Sequence, residues 1–434
     1  MKIFNYPSRS AEKKIDAIVN RGLRYRKKDY LAVNRILEDV RKNGDQALIN
    51  YANRFDSPGL KIGSLKVSAG EFEAAAGRVD RTFMRALNRA VKQIRSFHRM
   101  QYPKSWMDTR RPGTMLGQMV NPVQTAGVYV PGGTGGKTPL VSSVLMGAIP
   151  AKIAGVGRIA MVTPPTRQGR VDPHLLVAAK KVGVDAVYKV GSAWAIAALA
   201  YGTGTIPKVD VIVGPGNLFV TLAKKIVAGT VGIDMVAGPS EVLIIADGTA
   251  DPDYIAADLL AQAEHDTMAS AVLITDSRPM GEAVAEAVDR QLAVLPRREI
   301  AQASIMRFGA ILAVPNLDVA LDFANRIAPE HLELQVADPF ASIGRIQNAG
   351  AVFVGPYTPE PVGDYIAGPN HVLPTAGTAR FSSALSVDHF MKKTSIIHYS
   401  KEAFKKEAGD IIRLAEIEGL TAHANAVKIR LRSG

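Results

Sequence analysis

Apolar and polar positions along residues 251–266 follow a helical period. Asp251 stands where a cap belongs, Pro252 suits a first helical turn, and Ile255, Leu259 and Leu260 form an apolar stripe. The polar end carries Gln262 and His265, three positions apart and so on one face if the helix continues. The same period recurs over 31–51 (Val33, Ile36, Leu37, Val40, Ala47, Leu48) and over 72–100, which predicts packing helices, with His98 at the surface end of the second. From Thr114 the pattern shortens to that of strands, at 114–120 and 126–133. Strand cores at 159–162, 186–190 and 209–213 then alternate with helices ending near Ala154, Val182 and Ala200. A second set falls at 242–246, 271–275, 310–314, 332–336 and 351–354, and from Val387 helical patterns return. Such alternation predicts parallel sheets flanked by helices: an α/β fold of two Rossmann-like, doubly wound domains plus a helical C-terminal arm.

Composition narrows the class. A chain of 434 residues exceeds one ordinary core, so roughly two to four domains are expected. Hydrophobic residues at 47% and charged residues at 21% describe a folded soluble chain. No apolar run approaches the ~18 residues of a membrane span, and MKIFNYPSRSAEKK turns polar too early for a signal peptide, so the expected location is the cytoplasm, with no membrane partner. The absence of cysteine excludes disulfides and leaves only nitrogen and oxygen ligands for any metal. It also excludes a covalent thiol adduct with an aldehyde. The net charge of +13 gathers in RSAEKK, RYRKKDY and RRP near one end and in KIRLR near the other. No zinc-finger, RRM or helix-turn-helix pattern accompanies it, so no nucleic-acid partner is expected; solvated helix faces and attraction of anionic cofactors account for the charge.

Candidate chemistry sits at strand tips and in the last third of the chain. VYVPGGTGG, KVGSAW and IVGPGN each follow a strand and precede a helix, where open α/β sheets bind ligands, yet none reads G-x-G-x-x-G. PGGTGGKT carries Pro131 where a phosphate-binding loop needs its first glycine. After Pro356 a Gly- and Pro-rich stretch holds Asp364 and His371, and the tail holds Glu418 and His423. With Gln262, His265, Glu330 and His331 they form a metal-ligand and acid–base repertoire, although each alone also suits a solvated helix end or a core edge.

Over about residues 31–431 the chain resembles the histidinol dehydrogenases, zinc enzymes that close histidine biosynthesis. The resemblance is densest in VYVPGG, AIAALAYGT, VGPGN, GIDMVAGPSE, AQAEHD, IAPEHLEL, GPYTPE, VGDYIAGPNHVLPT, GTARFSS and HANAVKIRL. It implies zinc held by Gln262, His265, Asp364 and His423, with His423 coming from the tail of the other subunit of a homodimer. It implies substrate contacts at Ser240, His331 and Glu418 besides the zinc ligands, and Glu330 and His331 as acid and base. The implied contacts to NAD are Tyr129 and Asn217. Oxygen and nitrogen ligands would equally admit manganese or cobalt. The implied domains are 1–125 with 238–380 for zinc and substrate, 126–237 for the nucleotide, and 381–434 as a dimerisation arm reaching the partner's site. The implied reaction is the four-electron oxidation of L-histidinol through L-histidinal to L-histidine. Two departures stand out: TGGKT intervenes after VYVPGG, and GSAW puts Trp194 where a cofactor-contacting Gln is common. A sister enzyme acting on another polar alcohol, such as a sulfonated propanediol, and a phosphate or nucleic-acid binder built on PGGTGGKT are the rival readings.

Overall fold

The computed structural model describes residues 1–21, 26–132 and 138–432. Its chain contacts define two units, Met1–Gln101 with Val123–Phe390, and Tyr102–Pro122 with Met391–Gly434.

The larger unit holds two all-parallel sheets. The first runs Ala186–Lys189, Arg158–Thr163, Thr125–Tyr129, Val211–Val213, Gly232–Ile233. Numbered by chain position this is the order 3-2-1-4-5 of a doubly wound sheet, reversing between Thr125–Tyr129 and Val211–Val213. The second runs Ile3–Asn5, Ala310–Ala313, Ser270–Thr275, Glu241–Ala246, His331–Gln335, Ala351–Val354. Leaving aside the N-terminal edge strand, it repeats the same order and reverses between Glu241–Ala246 and His331–Gln335. Buried faces on both sides explain the near-continuous apolar runs EVLIIA and SAVLIT. Each face of the second sheet has its own core, one under the helices Arg9–Val19 and Leu317–Ile327, the other under Pro252–Ala263 and Arg278–Leu292. The long helix Lys27–Phe55 packs with Ser192–Tyr201 into the core of the first sheet.

His98 departs from its expected surface position. It is 0% exposed, because residues after the second sheet fold over the end of the helix Arg81–Arg99. Its Nδ1–H donates to Gln101 Oε1 at 2.7 Å and its Nε2 receives the Asn370 amide at 3.5 Å.

The smaller unit is an antiparallel sheet, Met391–Tyr399, Thr114–Pro122, Trp106–Asp108, with the helices Lys401–Ile417 and Thr421–Arg432. Met391–Tyr399 was expected among returning helices. It is a strand because all nine of its residues pair with Thr114–Pro122, a distant partner that local periodicity does not register. No described helix is long and apolar enough to cross a membrane.

Candidate functional site

The centre of the site forms where the second sheet reverses its order. Parallel pairing sets His331 opposite Val242, at the amino ends of both strands. Glu241 and Glu330, one residue earlier on each strand, are thereby brought together. The Glu241 N–H donates to Glu330 Oε2 at 3.0 Å, and His331 Nδ1 lies 3.0 Å from the Glu241 carbonyl oxygen. A carbonyl only accepts, so Nδ1 carries the proton and Nε2 the lone pair. Nε2 is 3.9 Å from Glu360 Oε1.

Gln262 closes this centre from the last turn of Pro252–Ala263. In the orientation that matches donors with acceptors, its nitrogen donates to both Glu360 oxygens at 2.9 and 2.6 Å, and its oxygen accepts from the Glu241 N–H at 2.7 Å. The helix stops at Ala263, so a turn, not a shared helical face, sets His265 beside Gln262; the His265 N–H reaches the Gln262 carbonyl at 3.2 Å. Asp364 lies in the single turn Gly363–Ala367, with Oδ1 3.7 Å from His371 Nδ1. His331, Glu360 and Asp364 each offer a ligand atom within 4.8 Å of the others, the one such group among the described residues.

Burial sets the charge states. It pushes the His331 pKa down to about 4, only partly offset by Asp364 and the Glu241 carbonyl. Burial, followed by the neighbouring Glu360, raises Glu330 well above the usual carboxylate range. Glu360 is pushed up to about 8 by burial and then by Asp364 and Asp258. For Asp364 burial works upward, but the hydrogen bond and charge of His371, with His331 and His265, outweigh it and hold the group below its ordinary value. Glu241 is raised by burial despite its ion pair with Arg21 at 3.1 Å.

A cavity of about 750 Å³ lies beside this centre. Asn217 reaches it from the carboxyl end of the first sheet, and Ser240 and His265 from the amino end of the second, with Arg21 also on the wall. Tyr129 and Trp194 are not among its lining residues. Tyr129 is buried, its hydroxyl accepting from the Ser192 N–H at 3.1 Å, and burial raises its pKa. Trp194 is 5% exposed, stacked on Tyr51 and Phe55 at ring distances of 5.5 and 5.7 Å. Glu418, capping Lys401–Ile417, and His423, in Thr421–Arg432, are exposed residues of the smaller unit. Most of PGGTGGKT lies outside the described residues.

Glu360 is the functional candidate that sequence reasoning missed. Its block, GPYTPE, was recognised, but a Glu after a proline carries no spacing signal toward His331.

A doubly wound α/β protein whose buried histidine and carboxylates sit beside a ligand-sized cavity has the equipment of an oxidoreductase. Known proteins give the family. A family model described as histidinol dehydrogenase matches residues 21–431. The histidinol dehydrogenase of Desulfotalea psychrophila is 57% identical over 401 residues, 92% of each chain. That of Geobacter metallireducens is 50% identical over 433 residues, covering 100% of this chain and 98% of the relative. The crystal structure of histidinol dehydrogenase from Elizabethkingia anophelis superposes with a TM-score of 0.93 at 36% identity, over 100% of this chain and 98% of that one. The chain belongs to the histidinol dehydrogenase family, and it is a dehydrogenase.

Proposed function

We propose that this protein oxidises L-histidinol through L-histidinal to L-histidine, using NAD and a zinc ion, in a homodimer whose tails complete each other's sites. The observation that carries the reading is the buried imidazole of His331, with Nδ1–H fixed on Glu241 and a free lone pair on Nε2.

The donors fit a divalent cation. They are nitrogen and oxygen only, one of them, Asp364, lies within 4.8 Å of ligand atoms of His331 and Glu360, and the crowded buried carboxylates raise one another's pKa, a repulsion a dication relieves. Gln262, His265 and Asp364 would hold zinc, with His423 coming from the tail of the second copy. When bound, zinc supplies a grip on the imidazole and amine of histidinol that orients the carbinol. The cavity likewise suits a nicotinamide cofactor, with Asn217 on its wall; NAD would supply the hydride acceptor.

The chain's own residues move the protons. His331 Nε2 takes the hydroxyl proton of the alcohol as its carbon gives up hydride, leaving the aldehyde. The chain has no cysteine to form a thiohemiacetal, so water adds to the aldehyde carbon while the Glu330 carboxylate takes one of its protons and the carbonyl oxygen takes back the proton that His331 Nε2 holds, which frees His331 again. The product is a hydrate, again an alcohol, and His331 deprotonates it during the second oxidation. Ser240 and Glu418 hold the polar substrate.

The test is NADH formation with L-histidinol and with other polar alcohols. Two NADH per histidinol is expected, and turnover of another alcohol without turnover of histidinol would overturn the reading.

A further inference from the structure

Behind the cavity lies an ion pair that none of the chemistry above uses. Lys224 and Asp234 have side chains only 3% and 0% exposed and contact each other directly. Both also grip the backbone of one residue. Lys224 Nζ donates to the Gly214 carbonyl at 2.9 Å, and the Gly214 N–H donates to Asp234 Oδ2 at 2.8 Å. Asp234 Oδ1 also accepts from the Met235 N–H at 2.6 Å.

Gly214 begins the loop 214–217 that leaves Val211–Val213. Its φ of +115° is open to glycine, and a Cβ there would run into the Tyr129 carbonyl oxygen. The loop therefore lies directly on the neighbouring strand tip. Three residues on, Asn217 lines the cavity while its Oδ1 caps Leu218–Val227, accepting from the N–H groups of Phe219 and Val220 at 3.0 and 3.1 Å. That bond commits the oxygen and leaves the amide nitrogen for a ligand. Lys224 sits on the helix that Asn217 caps, and Asp234 begins the segment leading to Gly238, Pro239 and Ser240 on the same cavity wall.

A buried ion pair is poor glue, since two apolar residues fill such a place at no loss of stability. What a charge pair does and an apolar pair does not is hold both backbone polar atoms of one residue, on either side of its Cα. We propose that Lys224 and Asp234 are positioning residues, a clamp that sets the loop 214–217 at the height where Asn217 meets the cofactor. The inference rests on the reading that this loop contacts NAD.

The test compares wild type with the double variant Lys224→Met/Asp234→Asn, which removes both charges and leaves no lone buried ion. NAD Kd is measured by titration, and kcat with the KM of each substrate by initial rates, on the full-length enzyme. The expected result is an NAD Kd and KM raised about tenfold or more, with histidinol KM within about twofold of wild type and kcat at saturating NAD within about threefold. Lys224→Arg keeps the charge pair but displaces the Gly214 carbonyl contact; it should raise NAD KM in the same selective way, and it serves if the double variant does not fold. Folded variants with wild-type NAD Kd, or with equal losses toward both substrates, overturn the clamp alone. Absence of saturable NAD binding by wild type overturns the cofactor reading and the clamp together.

Discussion

His331 Nδ1 lies 3.0 Å from the carbonyl oxygen of Glu241, a bond made across two parallel strands whose first residues come from segments 90 positions apart. It sets the tautomer, and with it the atom that works as base. His331→Asn should lower turnover by ~10² to 10⁴ on both alcohol and aldehyde. Glu330→Gln should chiefly slow the aldehyde, since only that half-reaction needs activated water. Rates with histidinol and histidinal supplied separately check this; equal losses on both for both variants would contradict the division.

Metal retention is a second point of attack. His265→Ala should lose bound metal and turnover while keeping its far-UV circular dichroism. Glu360 holds the Gln262 amide, so Glu360→Ala should weaken metal affinity by roughly 10- to 100-fold, the usual effect of removing a group that orients a ligand. Chelator competition with metal analysis reads both. Full activity in thoroughly metal-free protein would remove zinc from the mechanism.

Assembly can be tested without a structure of the dimer. His265→Ala and His423→Ala chains, unfolded and refolded together, should yield heterodimers with one intact site and regain up to about a quarter of wild-type activity under random pairing. Heterodimers present without recovery would return His423 to its own chain's site.

Asp56 offers a pH signature away from the site. Burial pushes its pKa from 3.8 up to about 7, and its Oδ2 has no partner. Between those values the unfolded chain is ionised while the folded one holds its proton, so stability falls as pH rises and the loss is complete above about 7. Asp56→Asn removes this slope. It should leave the protein more stable than wild type at pH 8, by on the order of 2 kcal/mol after allowance for partial exposure, with little difference near pH 4. Urea midpoints at the two pH values measure it; parallel curves would show that Asp56 ionises freely.

Trp194 separates packing from cofactor contact. Stacked on Tyr51 and Phe55, it should cost ~3–5 kcal/mol when cut to Ala. Trp194→Phe should lower the melting temperature yet leave NAD KM near wild type. A selective rise in NAD KM at unchanged melting temperature would instead make it a cofactor contact.

The strands of both parallel sheets other than the short edge strands Ile3–Asn5 and Gly232–Ile233 were legible in the chain, because a strand buried on both faces must be apolar along its length. The expected core 242–246 is observed as Glu241–Ala246 and 351–354 as Ala351–Val354. Gln262, Glu330, His331 and Asp364 were legible as candidates from their residue types and blocks, and the fold brings them to one buried centre.

Tertiary structure alone decided where that chemistry sits. Ligand loops were expected at the carboxyl ends of strands, and the first sheet obeys with Asn217, but the buried centre of the second sheet lies at its amino ends, built from Glu330, His331 and Glu241. Which end of a sheet meets the cavity depends on how the two sheets pack, and strand periodicity is the same read from either end. Glu360, His98 and the strand Met391–Tyr399 were hidden for a related reason: each is defined by a partner far away in sequence, and local pattern records how a residue meets its neighbours along the chain, not what folds over it.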